Sequence, residues 1–551
     1  MKTIYYGDFE TTQPNYNNEV SVYLWVLLRE EEVQTGGDIS SFYNAIKDLD
    51  AVVYFHNLKF DFSYLQYYLI TNNIEYEVCE KAGVIYNVKI NKCLIRDSLN
   101  FMPMTLEEVG NNYCTKYKKT SIDYEVYEGH KATKEEIEYC INDCRVLEEG
   151  LTNYFDTIRE VLEEAGCYKT LKNFNKRMTN AGIAFDAFKE LSNFVKCCPK
   201  TTIADYELFK PAYKGGLVYS NPCGIVSNVQ MIDCNSMYPF IYSTIEMPIG
   251  RPITCNSLNE CEKFKFYIVK LKVRYEIKEG YIPIIGGGVG KYGGINYKAS
   301  SNGEWEDIVV CSTDLELIKR YYNIDIYFIW GRGFETQKEF FKEYADLFIK
   351  FKNKYKGIKR AVAKVFLNSP YGKTAMNGME EKKKYYIDEK DNQVKSEVVG
   401  YSVEESIYQY LPDAIAITAG ARHLLLTTAE QIGFNNIYYM DTDSIKYKNV
   451  PVPFEFDPDT LGAWKDEGLC KYFKTIAPKK YAYYENYKIS FTCAGFNKKT
   501  LKQEMMHGKH ISKRTAKRLL NEFSPGLSLS CLQSKLVKGG RALIPVEKEI
   551  K

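Results

Sequence analysis

The sequence predicts a multidomain chain of mixed α/β and α+β class. At 551 residues it is too long for one hydrophobic core, so three to five compact units are expected. Strand-like and helix-like patterns alternate through roughly the first 170 residues, as in an α/β unit. Beyond them, strands, helices and a hairpin follow without that alternation.

Taken in order, TIYYGDFETT, DAVVYFHN and VIYNVKI read as strands. The acidic run from Lys131 to Ala165 reads as one or two helices opened by Thr133, three residues before Glu136. A boundary falls near Gly166 to Lys176. YKGGLVYSNPCG forms a glycine-rich turn into a strand, and VQMIDCNSMYPF is the next strand. The stretch 245–340, with IIGGGVGKYGG inside it, reads as an irregular, loop-rich insertion. From Gln337 to Ala375 the pattern is helical and basic. NGMEEKKKYYIDEKDNQVKSEVVGY reads as a polar β-hairpin with Asp391 and Asn392 at its turn. A helix at 413–432, a hairpin at YMDTDS and an amphipathic helix from Lys513 to Phe523 follow, with no internal repeats.

Net charge is +2, but it is unevenly distributed. Lys471 to Lys551 carries 18 Lys and Arg against 5 Asp and Glu, a basic end on an acidic body. This suits a chain that holds a polyanion at one end and does carboxylate and metal chemistry in the rest; a merely solvated basic surface is the alternative. The 16 cysteines are scattered and show no zinc spacing among 5 histidines, so they read as reduced core residues. MKTIYYGDFETT has no apolar signal segment, and no apolar run is long enough to span a bilayer.

Two sets of carboxylates carry the chemistry. Asp8 and Glu10 share one strand face by period two, Asp61 closes HNLKFD, and Asp143 lies one helical turn from Tyr139 in YCIND. In one compact unit these can hold two divalent ions, one activating a water and the other stabilising the leaving oxygen of a phosphodiester, with Tyr139 orienting the water. A helix-face Asp143 paired with Arg145 or Lys134 is the alternative. The second set is Asp233, on a buried strand, with Asp441 and Asp443 in YYMDTDSIKY. If the last two sit on one strand face beside Tyr439, they need a cation between them, and hard ions such as magnesium take oxygen ligands. A solvated turn is the alternative. Between these carboxylates, Lys364, Asn368 and Tyr371 follow helical spacing, a basic face fit for a triphosphate, with a plain basic surface helix as the alternative. Pro370 is expected to kink or end that helix.

The order of these segments resembles that of family B DNA polymerases with a proofreading exonuclease. DFETT, HNLKFD and YCIND resemble the three exonuclease motifs; DCNSMYP, KVFLNSPYG and YMDTDS resemble polymerase motifs A, B and C. YKGG at Tyr213 to Gly216 and KKY at Lys479 to Tyr481 resemble the Tyr-x-Gly-Gly and Lys-x-Tyr motifs of the protein-primed, phi29-like phage type, and the resemblance runs through the whole chain. The main departure is Pro370, where that subfamily more often has leucine.

The resemblance implies an RNase H-like 3′–5′ exonuclease domain (1–172) and a right-hand polymerase. The palm would occupy 173–244 and 413–510, the fingers 340–375 and the thumb 511–551. Residues 245–339 and 376–412 would be two protein-priming insertions, the first contacting the terminal protein and the second serving processivity and strand displacement. It implies Asp8, Glu10, Asp61 and Asp143 as exonuclease metal ligands, with Tyr139 and Lys119 assisting. His56, Asn57, Phe60, Ser98 and Leu99 would hold single-stranded DNA. Asp233, Asp443 and the Cys234 backbone would ligate the polymerisation metals beside Asp441. Lys352, Lys364, Asn368 and Tyr371 would meet the incoming nucleotide, and Tyr238 would stack under its sugar. Tyr213, Gly215, Gly216, Lys479 and Tyr481 would contact DNA. Magnesium would be the cofactor, two ions per site, with manganese able to substitute. Expected partners are template and primer DNA, dNTPs and a terminal protein, without a membrane, the chain acting as a monomer or as a heterodimer with the terminal protein in the cytoplasm of an infected bacterial host. The expected reaction is template-directed, two-metal-ion nucleotidyl transfer with strand displacement. A nucleic-acid-binding scaffold without turnover is the rival from another class.

Overall fold

In the computed structural model, which describes residues 2–122, 126–289, 295–404 and 409–551, two seven-stranded sheets each present one set of carboxylates. The first sheet runs Glu32–Gly36, Val22–Arg29, Thr3–Thr11, Ala51–Phe55, Cys93–Asp97, Val84–Ile90, Glu77–Lys81. Its interior strand Thr3–Thr11 is parallel to Ala51–Phe55 and antiparallel to Val22–Arg29. Alternation along this strand separates two cores. Tyr5 and Phe9 pack with Phe42, Phe55 and Leu65 on one side. Tyr6 faces the other, where the helix Lys134–Glu164 lies. Asp8 and Glu10 share the parity of Tyr6 and so face that helix. The helix is one continuous element, opened by a reciprocal capping box between Thr133 and Glu136, with Glu135 and Glu136 complementing its positive end.

The second sheet runs Lys488–Cys493, Lys480–Glu485, Trp464–Ala477, Val226–Cys234, Ser444–Lys448, Ile437–Asp441, Val218–Ser220. Asp233 lies opposite Ser444 in the register, which brings together residues two hundred positions apart. The helix Leu411–Ile432 packs against Met237–Thr244 and is buried nearly all round, as its Ala and Ile content allows.

The stretch 245–340 is regular rather than loop-rich. Glu246–Cys255, Tyr322–Lys338, Phe266–Ile277 and Glu306–Cys311 form an antiparallel four-stranded sheet, followed in sequence within it by the helix Ser312–Tyr321. Phe266–Ile277 alternates buried and exposed side chains along its second half, the pattern of a half-buried strand. The glycine run drew attention away from that alternation, and its residues 290–294 lie outside the described residues.

The helix Gly357–Asn368 ends before Pro370, which starts a separate turn, Pro370–Thr374, at a position where a missing N–H costs nothing. The predicted polar hairpin forms as Met379–Ile387 with Val394–Val403, and Asn392 takes a positive φ of 53° at its turn. It docks on the first unit through the Lys383–Glu80 ion pair and a Tyr76–Tyr385 contact at 6.4 Å. The helix Lys513–Glu522 forms as expected, and the hairpin Ser528–Val537 with Gly540–Glu549 also reaches the first unit. There Tyr64 donates to the Arg541 carbonyl, Val20 N–H donates to the Lys538 carbonyl at 3.0 Å, and Lys538 pairs with Glu19. Among the described residues no helix is long and apolar enough to cross a membrane.

Candidate active sites

The first site lies between the strand Thr3–Thr11 and the helix Lys134–Glu164. Asp8 and Glu10 come from the strand. Asp61 comes from the first turn of the helix Leu58–Thr71. Asp143 comes from the long helix, where it is 4 % exposed. Burial first, then the charges of Glu10, Asp143 and Asp61, push the Asp8 carboxyl well above the usual range. Asp61 is likewise driven up by burial, and the Phe9 backbone N–H offsets this in part. The partner of Asp143 is Lys119 rather than Arg145 or Lys134; Arg145 instead lies 3.8 Å from Glu31. Lys119 also donates to the Tyr139 hydroxyl at 3.0 Å, so one ammonium sets both the carboxylate and the phenol.

Beside this cluster lies a second group of the expected residues. The His56 Nε2 faces the Met104 carbonyl at 2.8 Å and its Nδ1 faces the Ser98 hydroxyl at 2.9 Å. A carbonyl only accepts, so Nε2 carries the proton; the one Ser98 hydroxyl proton lies between Nδ1 and the Phe55 carbonyl, 2.9 Å from each. Burial, then the Lys119 charge, lowers the His56 pKa and favours this neutral form. Asn57 takes a left-handed φ of 68° at the helix start. Its N–H and that of Leu99 both donate to Asp97 Oδ1, at 3.0 and 2.9 Å. Asp97 thus ties the two strand ends together. The sequence reading missed it, although Asp before Ser-Leu-Asn is a helix-capping pattern. Phe60 projects from the same helix turn.

At the second site, Asp441 ends a strand, and Thr442 turns the chain with φ 57° before Ser444 starts the next. The two carboxylates are therefore not on one strand face: a hairpin turn splits them. Asp441 is held by Lys479 and by the Tyr439 hydroxyl, 3.2 Å away. Asp443 turns toward Asp233. Burial, then the Asp443 charge, raises Asp233 to about 6. Asp443 is raised as well, by burial first. The Cys234 N–H donates to the Asp443 carbonyl at 2.7 Å, while its thiol points to the Gly462 carbonyl at 3.3 Å, leaving only its backbone on the carboxylate side.

Lys446 was also missed. It is buried beneath this cluster, its Nζ 4.8 Å from the Tyr481 ring centroid and 5.3 Å from that of Tyr439. Its charge lowers both Asp233 and Asp443, a counter-cation built into the sheet.

Around the second site, Tyr238 stacks on Tyr371 with centroids 4.3 Å apart. Tyr213 is within electrostatic reach of both rings. Lys352 is buried and donates to Asn235 Oδ1 and Ser236 Oγ, at 3.0 and 3.1 Å. Lys364 is exposed. Asn368 donates back to the Lys364 carbonyl at 2.7 Å, and the break at Pro370 means Tyr371 does not continue their helix face. Gly216 touches the hairpin turn: a Cβ there would lie 2.5 Å from Thr442 Oγ1, whereas one on Gly215 would meet nothing. The loop holding these glycines is fastened by Arg422, which donates to the Lys214 and Gly215 carbonyls at 2.6 and 2.9 Å and pairs with Asp314 at 2.6 Å.

Both clusters fit a hard divalent ion. Their donors are carboxylate oxygens that repel one another, and Asp143 Oδ1 is buried with no hydrogen-bond partner.

Comparison with known proteins agrees with this arrangement. The family described as DNA polymerase type B, organellar and viral, matches residues 43–133 and 127–450. The DNA polymerase of Bacillus phage phi29 is 28 % identical over 561 residues, covering 91 % of this chain and 93 % of that protein. That of Streptococcus phage Cp-1 is 25 % identical over 515 residues, covering 87 % and 88 %. The solved structure of phi29 DNA polymerase with primer-template DNA and incoming nucleotide superposes with a TM-score of 0.85 at 25 % identity, covering 100 % of both chains.

Proposed function

The chain belongs to the organellar and viral type B DNA polymerases, and on that premise we propose that this template-directed polymerase primes on a terminal protein, displaces the strand ahead and edits its own product. The observation that carries the editing claim is the presence of two separate carboxylate clusters on two separate sheets, each with its own lysine and tyrosine. Lys119 and Tyr139 serve one; Lys479 and Tyr439 serve the other.

At the first cluster, Asp8, Glu10, Asp61 and Asp143 would hold divalent ions. His56, Asn57, Phe60, Ser98 and Leu99 would seat a frayed single strand beside them. Burial raises the Asp143 carboxyl and the Lys119 ammonium offsets part of that rise, while its bond to the Tyr139 hydroxyl would orient that group toward an attacking water. At the second, Asp233, Asp443 and the Cys234 backbone would hold the ions. Magnesium, when bound, supplies the Lewis-acid charge that phosphoryl transfer needs. Lys352 and Lys364 would meet the triphosphate, and the paired rings of Tyr238 and Tyr371 form a flat floor for its sugar, where a 2′-hydroxyl would be crowded. Asp441, engaged by Lys479, acts as a positioning carboxylate that keeps the Lys479–Tyr481 segment on the primer side.

Protein priming is supported by the sheet at 245–339 and by the Tyr213–Gly216 loop joined to it through Arg422 and Asp314. Strand displacement is supported by two hairpins, at 379–403 and 528–549, that both dock on the first unit. The phi29 and Cp-1 relatives are phage DNA polymerases, which supports action inside an infected bacterial host, as a monomer or with the terminal protein.

Separating the two activities tests the reading. Asp443→Asn is expected to abolish dNTP incorporation and spare digestion of single-stranded DNA; Asp8→Ala is expected to do the reverse. Loss of both from either change rules out two sites, and DNA binding without primer extension would favour a scaffold. Priming needs its own assay, transfer of a deoxynucleotide to a candidate terminal protein; failure there with normal primer extension counts against it.

A further inference from the structure

Cys140 follows Tyr139 on the long helix, is 0 % exposed, and plays no part in the reactions above. Its Sγ lies 3.7 Å from the Asp8 carbonyl and 3.8 Å from Asp8 Oδ2. That sulfur, an Asp8 carboxylate oxygen and a Glu10 carboxylate oxygen all lie within 4.8 Å of one another. Asp143, three residues further along the same helix, is 4 % exposed, with Oδ1 unpartnered and its charge felt at both Asp8 and Cys140. The group is thus a carboxylate cluster with one soft donor in its floor.

We propose that Asp8, Glu10 and Cys140 form a binding site for a thiophilic divalent ion, Zn²⁺ or Cd²⁺, at the editing cluster. The inference rests on the reading of Asp8 and Glu10 as cation ligands. Zinc bonds to oxygen at about 2.0–2.2 Å and to sulfur at about 2.3 Å, which sets ligand atoms on one tetrahedral ion roughly 3.5 Å apart. The separation from the sulfur to Asp8 Oδ2 needs a shift of only a few tenths of an ångström to meet that, and the Glu10 carboxylate, within 4.8 Å of both, closes on the ion by side-chain rotation. As the metal–sulfur bond forms, the thiol proton passes to solvent and no electron is transferred. A hard ion gives little in exchange for that proton, whereas a thiophilic one does. The polymerisation cluster offers no equivalent, since the Cys234 thiol is turned to Gly462. A soft ion would therefore silence editing first.

The test is a CdCl₂ titration of the full chain, followed by the cadmium–thiolate ultraviolet band and by cadmium NMR, with Cys140→Ser, Asp8→Asn and Cys144→Ser alongside. The wild type is expected to bind one Cd²⁺ equivalent with a single-sulfur resonance. Cys140→Ser should weaken it about tenfold or more, Asp8→Asn should also weaken it, and Cys144→Ser should keep it. Equal binding by wild type and Cys140→Ser, or loss in Cys144→Ser alone, overturns the site. Primer extension in magnesium reports whether Cys140→Ser is folded. If it is not, the wild-type resonance decides: an all-oxygen or all-sulfur signal refutes the proposal. Wild-type digestion of single-stranded DNA should fall as that equivalent fills. If magnesium alone supports no digestion, the editing reading fails while the Cd²⁺ equivalent stands on its own.

Discussion

Thr442 determines what the carboxylates on either side of it do. Its φ of 57° folds the chain back, so Asp441 stays with Lys479 and Asp443 turns to Asp233. The sequence marked all three carboxylates, because unpaired acids beside apolar strands demand a reason. The argument from strand alternation failed, since it assumed extended backbone through a position that turns. Asp97, Cys140 and Lys446 escaped notice because their roles depend on neighbours distant in sequence. Asp233 also gives a pH prediction. Its folded value of about 6 lies above the ordinary ~3.9 of an unfolded Asp. The folded state thus holds the proton more tightly, a contribution to stability that is complete below about pH 4 and lost as pH rises through about 6. Magnesium should therefore raise the melting temperature strongly at pH 7.5 and much less near pH 5, as scanning fluorimetry can measure. An equal rise at both would mean that Asp233 does not bind the ion.

Among elements, the helices were legible where their caps are written locally. Thr133 with Glu136 opened the long helix, and Pro370 closed the one before it. The sheet at 245–339 was not, because its strands pair across long separations and a glycine run obscured their alternation. The helix Ser312–Tyr321 within that segment reaches the loop beside the second site through one buried contact. Asp314, 7 % exposed, pairs with Arg422, 5 % exposed, which in turn grips the loop of Gly215 and Gly216. Removing one partner of a buried pair leaves the other charge uncompensated, at a cost of about 3–5 kcal/mol. Asp314→Ala is expected to lower the melting temperature accordingly and to impair primer extension more than digestion, since the loop abuts Thr442 and not Asp8. Equal loss of both activities would reduce the pair to a general stabilising role.

For the whole molecule, the sequence foretold an acidic body with a basic end, but not that this end returns to the start. The hairpin 379–403 reaches Glu80, and the terminal hairpin reaches Glu19, Val20 and Tyr64. Lys383–Glu80 is half-buried and Glu19–Lys538 partly exposed, and solvent-screened pairs contribute only about 0–1 kcal/mol, so charge reversal, which adds repulsion, is the sharper probe. Lys383→Glu with Lys538→Glu should shorten products on a long single-stranded template while leaving first-nucleotide incorporation intact; unchanged product length would show that docking of the two hairpins does not help retain DNA. The Glu19–Lys538 contact joins residues 519 positions apart. Few contacts in the chain close so long a loop, and the entropy of doing so must be met before the contact repays it. During synthesis the first unit can fold with its docking edge bare, and that edge is covered only once the strands Ser528–Val537 and Gly540–Glu549 have left the ribosome. That edge is then sealed by Val537 and Ala542 in the first unit's core, beside the Tyr64–Arg541 bond and the Glu19–Lys538 pair, so the closed form is held by burial as well as by charge.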